Sequence, residues 1–134
     1  MKKNILAFVT CAISILLLDG LWLGVVATDL YRNGIGPLMR DKPDLGAAAA
    51  FYLLYTAGTL VFAIRPALAA KSALRALQSG ALFGFFCYMT YELTNLATLR
   101  GWPLNVVLAD MAWGTVLTAA SGVAGYAAAS RLRA

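Results

Sequence analysis

Histidine is missing from this chain, and no lysine falls inside its long apolar stretches. The first absence rules out a histidine-ligated haem, a histidine-containing zinc site and a Ser-His-Asp triad. The second argues against a retinal-type Schiff base buried among helices. Charge of either sign is scarce, at 13% of residues, against roughly 25% in soluble domains. The two cysteines, Cys11 and Cys87, each sit within an apolar segment, which reads as packing by small apolar residues rather than a disulfide framework.

Apolar residues are what the chain has in abundance: they make up 61% of its 134 residues, and the mean hydropathy is +0.75. This composition implies an integral membrane protein, read as a single transmembrane domain over 1–134. The net charge of +5 does not point to nucleic acid, because the basic residues stand at the ends of apolar segments, where they anchor helices at lipid headgroups.

Lys2 and Lys3 precede an apolar run from Ile5 to about Thr28. Val25-Val26-Ala27 resembles a signal-peptide cleavage site, but the run is too long for such a peptide, and Asp19 and Trp22 are foreign to one. About 20 residues cross a bilayer, so a first helix is predicted over about 4–28. Asp29 to Leu45, with its Gly, Pro and charged residues, reads as a loop with a short interfacial helix around Leu38. A second helix is expected over 46–64, carrying Tyr52, Tyr55 and Thr59 on one face and stopped by Arg65-Pro66. The third is expected over 76–98 and the fourth over 103–129, joined by the turn Arg100-Gly101-Trp102-Pro103. Pro103 suits the first turn of a helix. Gly20/Gly24 and Gly80/Gly84 are small-xxx-small pairs that permit close helix contact.

The expected fold is therefore all-α, an integral membrane four-helix antiparallel bundle with both termini on one side. That side carries seven basic residues (Lys2, Lys3, Arg65, Lys71, Arg75, Arg131, Arg133) against four on the other (Arg32, Arg40, Lys42, Arg100). By the positive-inside rule both termini are expected to face the cytoplasm.

Depth singles out a candidate site. With about 1.5 Å rise per residue, Asp19, Glu92 and Asp110 all fall in the outer half of the bilayer. Tyr88, Glu92 and Asn95 share one face of the third helix, and Tyr91, Asn95 and Thr98 an overlapping one. Asp19-x-x-Trp22 and Asp110-x-x-Trp113 repeat one spacing on helices of opposite direction. Acids in hydrocarbon are costly, and they mark ion, proton or substrate pathways. Without an intramembrane cation the three cannot all stay charged: at least one of Glu92 and Asp110 is expected to be protonated or to hold a cation. Arg100, in the short outer turn, is the nearest candidate counter-ion within the chain.

The run Thr90-Tyr91-Glu92-Leu93-Thr94-Asn95-Leu96-Ala97-Thr98-Leu99, with Trp102-Pro103 and Asp110-x-x-Trp113-Gly114, resembles a bacterial membrane-protein family known as domain of unknown function 2177. Asp19-x-x-Trp22-Leu23-Gly24, Phe51-Tyr52, Gly58 and Pro66-Ala67-Leu68 are similar to its pattern too. The family pattern has Asp where this chain has Glu92. The resemblance implies a membrane protein with these positions as its signature, and it carries no activity.

The candidate ligand-binding set is Asp19, Trp22, Tyr88, Tyr91, Glu92, Asn95, Asp110 and Trp113, with no metal ligand set, no cofactor and no catalytic residue assigned. It reads as an acidic, aromatic-lined pocket that binds or transports a small cationic, proton-coupled or lipid-like solute. The partners expected are membrane lipids, such a ligand and further copies of the chain, with no nucleic acid. The alternatives are a membrane-embedded lipid-modifying enzyme, using paired carboxylates as acid and base, and an accessory subunit with no small ligand.

Overall fold

The computed structural model describes residues 1–132; Arg133, counted above among the basic residues, lies outside that range. Among the described residues the chain is helical without strands. We number the helices α1 (Lys2–Val26), α2 (Thr28–Ile35), α3 (Leu45–Ala70), α4 (Ala73–Thr98) and α5 (Leu104–Ser130). α1, α3, α4 and α5 form the four-helix antiparallel bundle, and α1, α3 and α5 are long and apolar enough to cross a membrane. α4 is as long, but Arg75, Gln78, Glu92 and Asn95 dilute its apolar character. Lys3, Lys71 and Ser130 line one cleft, so both chain ends and the α3–α4 connection lie at the same end of the bundle.

Polarity runs opposite to that of a soluble domain. Leu17, Leu54, Leu104 and Leu108 are exposed on the outside, while Asp19, Thr56, Thr59, Glu92, Asp110, Thr118 and Ser121 are buried. Lipid is as apolar as leucine, so such a bundle is held by close packing and interhelical hydrogen bonds rather than by apolar burial. α5 is the central helix, packed along α4 and α1. Its contact with α4 is made by glycine. A Cβ at Gly80 would lie 2.7 Å from the Thr118 carbonyl oxygen, one at Gly84 would strike the Gly114 carbonyl, and one at Gly114 would enter the Tyr88 ring. Gly80/Gly84 is thus a close-contact pair. Gly20/Gly24 is not, because nothing lies within 4 Å of a Cβ at either position.

Two segments depart from the sequence expectation. The second span does not stop at Arg65-Pro66 but continues to Ala70. A π-turn over Leu60–Ile64 immediately precedes Pro66, which stands in the first turn of the next helical segment. The wider turn relieves the register into which proline's missing N–H would otherwise intrude. The helix ends instead at Lys71, in the left-handed conformation (φ 51°), and the Ser72 side chain caps α4 by accepting from the Arg75 N–H at 3.2 Å. Likewise the expected loop begins with a real helix, α2, and the turn at Gly36–Leu38 follows it. Gly34 looks like a loop residue, yet it lets α2 lie against the start of α5: a Cβ there would sit 2.8 Å from Val106 and 3.0 Å from Pro103.

Candidate functional site

The three acids come from three helices, and all three are buried: Asp19 is 5% exposed, Glu92 0% and Asp110 8%. Each is met by an aromatic donor. The Tyr52 hydroxyl donates to Asp19 Oδ2 at 2.5 Å, and Trp113 Nε1 donates to Asp19 Oδ1 at 3.0 Å. Trp102 Nε1 donates to Glu92 Oε2 at 2.8 Å. The Tyr31 hydroxyl donates to Asp110 Oδ1 and itself accepts from Trp22 Nε1 at 2.8 Å.

The repeated D-x-x-W spacing now has a structural meaning. Trp22 and Trp113 stack at 4.6 Å between ring centroids, with planes 4° apart. Each indole reaches the acid of the other's helix: Trp113 directly to Asp19, Trp22 to Asp110 through the Tyr31 hydroxyl. Antiparallel helices place the two motifs face to face, so one stacked pair braces α1 against α5 and ties in α2.

The sequence-predicted residues divide between two adjoining environments that meet at Asp110. Asp19, Trp22 and Trp113 belong to the brace, where both Asp19 oxygens are engaged by the chain's own donors. Tyr88, Tyr91 and Asp110 instead line a cavity of about 370 Å³, together with Phe51, Tyr55 and Cys87. Glu92 stands behind Asp110, within hydrogen-bonding reach of its carboxyl group. Asn95 is half-buried and gives no hydrogen bond to any of the three carboxylates among the described residues. Arg100 is exposed, and the one ion pair among the described residues is Arg40–Asp44, 3.5 Å apart at the surface. The expected counter-ion role of Arg100 is therefore not met: exposed in the turn, it makes no ion pair with any of the three acids among the described residues. Nor do the three acids converge on one point where all could bind a single cation.

The cavity exists because α3 and α4 diverge. They touch at Leu60–Ile64 and scarcely meet along Leu45–Thr59. The gap is spanned by aromatic side chains, with Tyr55 at 5.5 Å from Phe83 and 6.2 Å from Tyr88. Phe51 and Tyr91, at the rim, are 43% and 55% exposed on the apolar outer face, so the mouth opens sideways. Tyr55 is fixed by a 2.8 Å hydrogen bond to Thr118, whereas the Tyr88 hydroxyl has no such partner among the described residues.

Three contributors were not among the predicted site residues. Tyr52 lies on the shared face of the second helix and Trp102 in the turn, and both stand in the family-like pattern. The only sequence signal at Tyr31 is the Thr28, Tyr31, Ile35 spacing that puts it on one face of α2. Burial, and then the bond to Asp110, push the Tyr31 phenol above the ordinary tyrosine range, with the Trp22 donation opposing.

This bundle of apolar helices, with acids inside and leucines outside, defines an integral membrane protein. The chain belongs to a family of predicted membrane proteins: the model described as "Predicted membrane protein (DUF2177)" matches residues 4–127. No curated protein and no solved structure matches it.

Proposed function

We propose that this protein binds, inside the membrane, a lipid-like cation with a positively charged head and an apolar tail, which enters sideways from the bilayer. The single observation that carries this reading is the chemistry of the cavity. Its wall is Phe51, Tyr55, Cys87, Tyr88 and Tyr91, with Asp110 as its one carboxylate. Aromatic faces attract cations, more strongly when desolvated, and a carboxylate in an apolar wall fixes the head of a ligand. About 370 Å³ lies at the lower end of ligand-sized pockets, enough for a head and the start of a chain. The sideways mouth suits a ligand dissolved in lipid. In this reading the protein is a multi-pass component of a bacterial inner membrane with cytoplasmic termini, and the cavity faces the outer leaflet. A carrier role would be served by several copies acting together, since a single bundle leaves little room for a pathway.

The test is equilibrium binding to protein in lipid nanodiscs, with dodecyltrimethylammonium as the cation and dodecanol as its uncharged counterpart. Saturable binding of the cation, weakened at least about tenfold by Asp110→Asn, is expected. Equal affinity for cation and alcohol, or an unchanged affinity in the variant, would refute the reading.

A further inference from the structure

Glu92 carries an anomaly that the cavity alone does not explain. It is fully buried, its Oε2 is served by Trp102, and its Oε1 has no hydrogen-bond partner among the described residues. Beside it stands a second buried carboxyl group, that of Asp110. Two carboxylates are acceptors only, so with both ionised nothing would lie between them but repulsion. The groups that face the pair supply no compensating charge. Tyr31 on α2 donates to Asp110, Asp19 on α1 is held by Tyr52 and Trp113, and Tyr88 and Tyr91 lie on α4. No lysine or arginine is paired with either acid among the described residues.

We propose that Glu92 and Asp110 hold one proton between them, so that the pair presents a single negative charge to the cavity and favours a monovalent head. One proton is the number the donors call for. Trp102 already serves Glu92 and Tyr31 already serves Asp110, so a single O–H between the two carboxyl groups gives the orphaned Oε1 its partner. A second proton would have no acceptor within the pair. The remaining charge is exposed where Asp110 lines the cavity, while Glu92 stays behind it. A singly charged head then leaves the buried site neutral, and a doubly charged one does not. The proton stands independently of any ligand, whereas the preference for one charge rests on the binding reading above.

The proton is read by infrared spectroscopy of the protein in nanodiscs at neutral pH, without ligand. The carbonyl band of a protonated carboxyl group is expected in the wild type and should vanish in Glu92→Gln and in Asp110→Asn. Glu92→Gln replaces the shared proton by an amide N–H and leaves one negative charge on the pair, so the band is expected to disappear without a second charge appearing. Should Glu92→Gln fail to fold, Trp102→Phe removes only the other donor to Glu92 and should shift the band without abolishing it. A missing band in the wild type, a band that survives both acid replacements, or one unmoved by Trp102→Phe would overturn the shared proton. A band with no cation binding would instead overturn the binding reading alone. Binding decamethonium, a dication, more tightly than dodecyltrimethylammonium would refute the preference for a single charge.

Discussion

Replacing Trp113 with Phe removes one N–H from a buried carboxylate and leaves most of the ring. Asp19 is 5% exposed and has two donors, at 2.5 and 3.0 Å, so the variant leaves it with Tyr52 alone. A hydrogen bond to a charged group contributes about 1.5–3 kcal/mol in soluble proteins. Between membrane helices the measured average is only about 0.6 kcal/mol and the maximum about 1.7, because the unfolded chain in lipid also finds partners. The smaller stack on Trp22 removes a further ~0.5 kcal/mol. The membrane values should govern, and the expected loss is about 1–2 kcal/mol, or roughly 4–8 °C in melting temperature for a chain of this size. The assay is thermal unfolding in detergent, followed by a thiol-reactive dye in a Cys87→Ala background. Cys11 is fully buried and reacts only on unfolding. The same substitution in an Asp19→Asn background separates the terms, since the amide is a weaker acceptor and the loss should fall to about half. An equal loss in both backgrounds would mean that Trp113 acts by packing alone, and the brace as described would be wrong.

Gly84→Ala forces a methyl group onto the Gly114 carbonyl and Thr118, and should cost about 1–3 kcal/mol, whereas Gly24→Ala, with open space around it, should change stability by less than about 0.5; parallel melts decide it. A membrane-permeant maleimide should modify Cys87, which lines the cavity, much faster than the fully buried Cys11, and dodecyltrimethylammonium should protect Cys87; equal rates would remove the sideways mouth. Tyr31→Phe should cost about 1 kcal/mol at neutral pH by removing the donor to Asp110. The Tyr31 pKa is raised in the folded state, so its stabilising contribution is complete below the unfolded value of about 10 and is lost as pH rises through the folded one. The difference between wild type and Tyr31→Phe should therefore shrink above about pH 10, as measured by melts across that range.

The four long helices were legible because hydrophobic length and charge-bearing ends are strong signals in membrane chains. The burial of Asp19, Glu92 and Asp110 was legible for the same reason: a carboxylate in an apolar run must turn inward. What composition could not convey was division of labour. Asp19 and Asp110 share a spacing and a depth, yet one is closed off by Tyr52 and Trp113 and the other opens on a cavity. That distinction depends on the divergence of α3 from α4 along Leu45–Thr59, a relation between two helices that neither helix's own pattern encodes. Tyr31 was hidden by its surroundings, since Gly34, Gly36 and Pro37 signal a loop, yet the segment forms a helix that lies against Val106 and Pro103. Pro66 misled in the opposite direction, because a π-turn lets the helix run past it.

The central claim is that a lipid-like cation occupies the aromatic cavity with its head at Asp110. Photo-crosslinking tests it most directly, using an alkylammonium with a diazirine next to the nitrogen, protein in nanodiscs, and mass spectrometry to map the adducts. Adducts on Tyr55, Tyr88 and Tyr91 are expected, competed by dodecyltrimethylammonium and lost in Asp110→Asn. Adducts spread over the outer faces of α1 and α5, unchanged by Asp110→Asn, would contradict it.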